Sequence, residues 1–165
     1  PDNSAPFAPS VEFESNPQAN KPVRAIVTQP SFDPEYDPVR YQYNWFVDNM
    51  LVRTTLTMAL SDTLPTDASD AGLEVRCRVT PFDGSVIGLD DQVSALLRSP
   101  ADIDHDGDSD LLDYLLVSVC ISGPEIMSPP SGCVPSAFVD VDQDGDFDCD
   151  LLDFGLFQST YAAED

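Results

Sequence analysis

The residues best suited to chemistry in this 165-residue chain are aspartates at every second position. One run reads Asp102-Ile103-Asp104-His105-Asp106-Gly107-Asp108-Ser109-Asp110-Leu111-Leu112-Asp113, and a partial copy extends from Asp140 to Asp153. Alternate carboxylates on a sharply bent loop turn their oxygens towards one point, which suits a hard cation such as Ca2+ that takes about six to eight oxygen ligands. Gly107 permits the bend, because glycine tolerates backbone conformations closed to residues that carry a Cβ. The first run therefore offers Asp102, Asp104, Asp106, Asp108 through its backbone carbonyl, Asp110 and Asp113 as metal ligands. Without a cation these carboxylates repel one another, so metal binding should supply folding free energy to the segment.

A solvated acidic linker is the plain alternative, since charge runs are commonly disordered. Strict alternation, the placed glycine and the apolar stretch after each ladder (Leu111 to Leu116, Leu151 to Phe157) favour an EF-hand-type calcium loop leading into a helix. The second ladder fits two registers. Gly145 at the bend starts the loop at Asp140, with Asp142, Asp144, Asp146 and Asp148 following, and requires a loop two residues longer to bring in Asp153. A start at Asp142 places Asp144, Asp146, Asp148, Asp150 and Asp153 in register but sets Phe147 at the bend, where a side chain is sterically penalised. The expanded register is the preferred one, giving Asp140, Asp142, Asp144, Asp146, Asp148 and Asp153 as ligands and two Ca2+ ions in all.

Charge is distributed accordingly. The net charge is -23; residues 1–98 hold fourteen acids and all seven bases, and residues 99–165 hold sixteen acids and no base. A segment without lysine or arginine cannot pair its own carboxylates, and two calcium ions would bring the total to -23 + 4 = -19. This field excludes nucleic acid and anionic membrane surfaces as expected partners. No apolar run is long enough to cross a bilayer. The start, Pro1-Asp2-Asn3-Ser4, has no signal-peptide pattern, which fits a mature secreted chain or a piece of a longer one. Millimolar calcium outside cells agrees with a secreted, extracellular or cell-surface location.

Of the four cysteines, Cys120 ends the stretch after the first ladder and Cys133 lies in the proline-rich connection, so a disulfide between them would staple that connection. Cys77 reads as a small buried residue. A zinc site is disfavoured because the cysteines lack paired spacing and His105, the single histidine, points outward from a calcium loop.

The elements that must carry the ladders follow from hydrophobic patterning. Residues 1–10, with three prolines, read as an extended linker or assembly segment. Val11 to Glu14, Val23 to Thr28, Tyr41 to Val47, Met50 to Leu60, Leu73 to Thr80 and Ser85 to Leu97 carry strand patterns, with Asp48-Asn49 as a hairpin turn. About seven short strands over residues 11–97 predict a sandwich of two antiparallel sheets. With Trp45 in the third strand and Cys77 in a late strand after Asp70-Ala71-Gly72, the stretch resembles an immunoglobulin-like domain. The second strand offers Val23, Ala25 and Val27 where that family has a partner cysteine, which leaves apolar packing around Trp45 to join the sheets.

Residues 99–161 form a duplicated loop-then-helix unit. Asp110 is placed to cap the first helix, with Leu112, Leu115, Leu116 and Val119 as its apolar stripe; residues 122–136 connect the copies; Leu152, Leu156 and Phe157 serve the second helix. Two such helices packed antiparallel, pinned by metal at their starts, would form a small core. Asp102-Ile103-Asp104-His105-Asp106-Gly107 with Asp110 and Asp113, repeated as Asp140-Val141-Asp142-Gln143-Asp144-Gly145 with Asp148 and Asp153, resembles a type I dockerin. The resemblance implies two calcium ions and a role in plugging an extracellular protein into a partner. In that family the cohesin partner is contacted through small hydroxyl residues before the last ligand and bases along the helix. Here Leu111-Leu112 and Leu151-Leu152 stand in those places and no base exists, which argues against a cohesin.

The expected fold class is mixed, with two small domains: an N-terminal all-β immunoglobulin-like sandwich and a C-terminal α dockerin-like pair of calcium loop-helix units. No nucleophile elbow, zinc-protease or phosphate-loop motif is found, so no enzyme is expected. The leading expectation is a non-catalytic extracellular calcium-binding module for surface anchoring, adhesion or assembly. Its partner would be a protein on the cell surface or in an extracellular assembly, self-association included. Alternatives are the repeating structural subunit of a calcium-stabilised filament or sheath, and the accessory C-terminal region of a larger secreted enzyme.

Overall fold

The computed structural model describes residues 3–67 and 70–161; residues 1–2 of the expected linker and residues 68–69 of the loop before Asp70 lie outside the described residues, as do residues 162–165. The chain divides after Leu97 into two compact units.

The first unit holds seven strands among its described residues: β1 (Ser10–Phe13), β2 (Val23–Gln29), β3 (Arg40–Val47), β4 (Met50–Thr57), β5 (Ser61–Leu64), β6 (Glu74–Phe82) and β7 (Asp91–Leu96). They form two antiparallel sheets, β1-β2-β5 and β4-β3-β6-β7, the strand distribution of an immunoglobulin-like sandwich. The period-two alternation explains the layers. Tyr41, Tyr43 and Trp45 of β3 and Val75, Cys77 and Val79 of β6 turn inward and are buried against Val11, Val23, Ala25 and Val27. Asp48 and Asn49 both take left-handed backbone angles, φ 45° and 65°, as a two-residue hairpin between right-twisted strands requires.

Two stretches differ from the expected strands. The run from Met50 to Leu60 breaks after Thr57, and β5 begins at Ser61 in the other sheet. The final strand is shortened to Asp91–Leu96; at the start of the expected strand the Asp83 carboxylate accepts the amides of Ser85 and Val86, at 2.6 and 2.7 Å, and holds those two residues in a turn. Those two donors also keep the Asp83 carboxyl below the usual range.

The sheets are joined by more than apolar packing. Trp45 is fully buried and stacks on Phe13, while its indole N–H donates to Asp62 of β5 at 2.8 Å. Arg53 of β4 reaches the same carboxylate at 3.1 Å and the Thr63 carbonyl at 2.7 Å. A polar link thus crosses between the sheets, and Cys77 remains a free buried thiol, pushed up to about 12 first by burial and then by the Asp62 charge. Burying an indole removes roughly 200 Å² from water, worth about 5 kcal/mol.

The described part of the proline-rich start lies along its own sandwich. Pro6 and Pro9 are buried, Phe7 donates its amide to the Phe32 carbonyl at 2.9 Å, and Ser4 donates to Glu35. The Pro6 carbonyl runs so close over Gly88 that any Cβ there would collide with it.

The second unit contains α1 (Leu111–Cys120), α2 (Pro135–Val141) and α3 (Leu151–Thr160). Helix α2 runs from the end of the expected connection into the start of the expected second ladder; Pro135 opens it from the first helical position, where no amide hydrogen is needed. The core is shared by three helices: Tyr114 of α1 and Phe154 of α3 bring their ring centroids to 6.3 Å, and α2 is added to them. Helix α2 contacts both α1 and α3 and contributes Ala137, Phe138 and Val141, which meet Val117, Cys120 and Phe157. Cys120 and Cys133 are disulfide-bonded. The expected apolar stripes are only partly inward: Phe157 is buried and Leu116 packs against the core, while Leu112, Leu115 and Val119 of α1 and Leu152 and Leu156 of α3 are exposed and Asp113, Val117 and Cys120 face inward. The cause is that an aspartate in the first turn of each helix is tied into the preceding loop, which fixes the rotation of the helix.

Candidate metal centre

Each ladder is organised by its last aspartate. Asp113 is fully buried, and its Oδ1 accepts the amides of Ile103 (2.6 Å) and Asp104 (3.0 Å) while Oδ2 accepts that of Asp110 (2.7 Å). Asp153, 1 % exposed, repeats the pattern with Gln143 (2.7 Å), Asp144 (3.2 Å) and Asp150 (2.8 Å). Asp110 and Asp150 cap α1 and α3, accepting from Leu112 and Leu152, so each helix starts with a reciprocal capping box. A sequence that reads Asp-Leu-Leu-Asp in both copies thus closes the loop and starts the helix with the same two side chains.

Ligand-type oxygens converge in four groups of three, each within 4.8 Å: Asp102, Asp104 and Asp113; Asp108, Asp110 and Asp113; Asp142, Asp144 and Asp153; Asp148, Asp150 and Asp153. The two copies are related by a shift of forty residues. The second ladder therefore has the register that starts at Asp142, with Asp150 where the first has Asp110. Asp140 lies outside it, on α2, with its carboxylate 3.2 Å from His105 Nε2. The preference for Gly145 at the bend fails because each loop has two left-handed positions. They are His105 (φ 66°) and Gly107 (φ 104°) in the first copy, and Gly145 (φ 81°) and Phe147 (φ 75°) in the second. Glycine takes the later position in one copy and the earlier in the other, so aligning the glycines shifts the frame by two residues.

Asp108 and Asp148 bring carboxylate oxygens to these groups. Asp106 and Asp146 fall outside the four groups; each accepts the amide two residues on, from Asp108 at 3.3 Å and Asp148 at 3.1 Å. Sequence reasoning left Asp150 out of the ligand set; the signal available was its equivalence to Asp110 before the Leu-Leu-Asp of each copy.

The electrostatics are those of acids lacking a counter-charge. Burial first, and then the charges of Asp113, Asp106 and Asp102, raise the Asp104 carboxyl above its ordinary value; burial and Asp153, Asp146 and Asp142 do the same to Asp144. At Asp148 the amide of Glu125 pulls downward, and burial with Asp146, Asp150 and Asp153 outweighs it. Asp102 Oδ1 and Asp148 Oδ1 are buried with no hydrogen-bond partner among the described residues. A buried carboxylate oxygen left without a donor costs free energy that a cation would recover. The donor set, all carboxylate oxygen, fits a hard divalent ion such as Ca2+. Cys149, buried beside the second ladder, donates its thiol to the Phe138 carbonyl and is pushed up to about 12, by burial first and then by the nearby aspartates. Cys149 is not among the residues whose ligand-type atoms converge.

No protein-family model matches the chain, and no curated protein matches it. Among solved structures it is similar to the extracellular region of rat CD45, domains d3-d4, at 11% identity and TM-score 0.47, covering 57% of this chain and 51% of that one. It is also similar to the PKD domain of an M14-like peptidase from Thermoplasmatales archaeon SCGC AB-540-F20, at 14% identity and TM-score 0.44, covering 59% of this chain and 100% of that one. The chain spans about half the length of the CD45 fragment. The description of the first unit as an immunoglobulin-like sandwich stands on its own strand order and register. Among the described residues, no helix is long and apolar enough to cross a membrane.

Proposed function

We propose that this chain is a non-catalytic extracellular module in which a dockerin-like unit, folded around two Ca2+ ions, presents a docking face, and an immunoglobulin-like sandwich serves as spacer. The observation that carries the reading is the pair of equivalent acidic cages, each holding a buried carboxylate oxygen without a donor, Asp102 Oδ1 in one and Asp148 Oδ1 in the other. Asp102, Asp104, Asp108, Asp110 and Asp113 would hold one ion, and Asp142, Asp144, Asp148, Asp150 and Asp153 the other. The reading is further supported by Leu111 and Leu151, 63% and 77% exposed beside the two cages, each followed by a second exposed leucine, because exposed apolar residues grouped on a small unit favour a protein partner.

The test is retention of an extracellular or cell-surface protein, or of a second copy, by the immobilised full chain. Calcium-dependent capture that Leu111→Ser with Leu151→Ser removes would support docking through this face. Capture indifferent to both calcium and the two leucines would refute it.

A further inference from the structure

The sandwich carries a second acidic feature that the metal cages do not explain. The loop Pro30-Ser31-Phe32-Asp33-Pro34-Glu35-Tyr36-Asp37-Pro38 borders an open cavity of about 440 Å³ lined by Ser31, Phe32, Asp33, Tyr36, Asp37 and Tyr41, with Val39, Met58 and Leu60 as its further apolar lining. Asp33 is 3% exposed, and its Oδ1 accepts the amides of Glu35 at 3.0 Å and Asp37 at 3.1 Å. Its Oδ2 is buried with no hydrogen-bond partner among the described residues, and so is the hydroxyl oxygen of Ser31. Above them, Phe32 stacks on Phe7 and meets Tyr36 edge-on, with centroids 5.4 Å apart. Tyr36 is largely exposed and held in the left-handed region at φ 66°, where a side chain with Cβ is strained.

A partnerless buried carboxylate oxygen calls for a donor, and aromatic faces beside it favour a cation whose charge is spread over carbon-bound nitrogen. A bare metal ion does not suit the place: Asp33, Glu35 and Asp37 do not form a converging ligand group, although they alternate as the ladders do. The charge of -23 raises the local concentration of any cation near this loop. We propose that the cavity binds the ammonium or guanidinium head of a basic side chain, with Asp33 as the hydrogen-bond acceptor and Phe32 and Tyr36 as the aromatic walls. The site lies wholly in the sandwich and is independent of calcium docking.

The experiment is nuclear magnetic resonance of the full chain in saturating calcium, so that the ladders do not compete for the probes. The probes are Nα-acetyl-lysine N-methylamide and Nα-acetyl-arginine N-methylamide, with the norleucine analogue and methyl β-glucoside as uncharged controls. At least one cationic probe should shift the amides of residues 31–39, and the lysine and arginine arms tell which head is preferred. Asp33→Asn keeps an oxygen for the Glu35 and Asp37 amides but presents N–H where Oδ2 stood, and should weaken binding by at least about tenfold. Tyr36→Asn, at the surface and tolerant of the left-handed backbone, should weaken it without disturbing the fold. No shift with either cation, equal shifts with norleucine or the glucoside, or affinity unchanged in both variants would overturn the proposal.

Discussion

Replacing Asp113 by alanine removes the acceptor for three backbone amides at once, those of Ile103, Asp104 and Asp110. An amide left without a partner in a buried or half-buried place costs roughly 1–3 kcal/mol, so the three together cost about 3–9 kcal/mol. That is comparable to the whole stability of a unit this small, for which about 5 kcal/mol is ordinary. Asp113→Asn keeps Oδ1 for Ile103 and Asp104 but loses the acceptor facing Asp110, which costs about 1–2 kcal/mol, and one charged oxygen of the proposed ligand set besides. Leu111→Ala, next to the cage but 63% exposed, should change stability by less than about 0.5 kcal/mol. The assay is amide hydrogen exchange of the full chain in calcium, read on peptides from residues 99–161, with the sandwich peptides as internal reference. Protection in the second unit should fall in the order wild type, Asp113→Asn, Asp113→Ala, and the sandwich should be untouched. An alanine variant with wild-type protection would refute the assignment of Asp113 as the closure of its loop.

Other expectations follow from the same contacts. Phe147→Gly relieves a left-handed residue whose side chain is 72% exposed, and should stabilise the second unit by about 1 kcal/mol in thermal unfolding; a loss of stability would count against the register that begins at Asp142. Cys120→Ser with Cys133→Ser opens a disulfide separated by 13 residues, and should cost the second unit roughly 3 kcal/mol, read as a lower denaturation midpoint than the oxidised chain. A chelator should melt residues 99–161 while leaving the fluorescence of Trp45 that of a folded sandwich; simultaneous loss of both units would contradict their independence.

Much of the architecture was legible because burial follows a period. Tyr41, Tyr43 and Trp45, and Val75, Cys77 and Val79, alternate with polar residues and sit in the core accordingly. Strand β5 gave no such signal, since Ser61-Asp62-Thr63-Leu64 buries one apolar side chain and uses Asp62 as a hydrogen-bond acceptor between sheets. Helix α2 was hidden by its own proline, which reads as a breaker until it falls at the first position of a helix. On the helices, Phe157 and Leu116 face the core as their spacing suggests, and the outward leucines have a different reason. Leucine is the more hydrophobic choice, yet Asp113 and Asp153 face inward because three amides each hold them there, and the leucines beside them are left outside. The ladder was visible from spacing alone, while its second frame was masked by a glycine that occupies the other of two left-handed positions.

Calcium titration of the metal-free full chain by isothermal calorimetry tests the central claim most directly. Two ions per chain are predicted, falling to one when Asp142, Asp144 and Asp150 are changed together to asparagine. A stoichiometry of one or none in the wild-type chain would contradict the pair of cages.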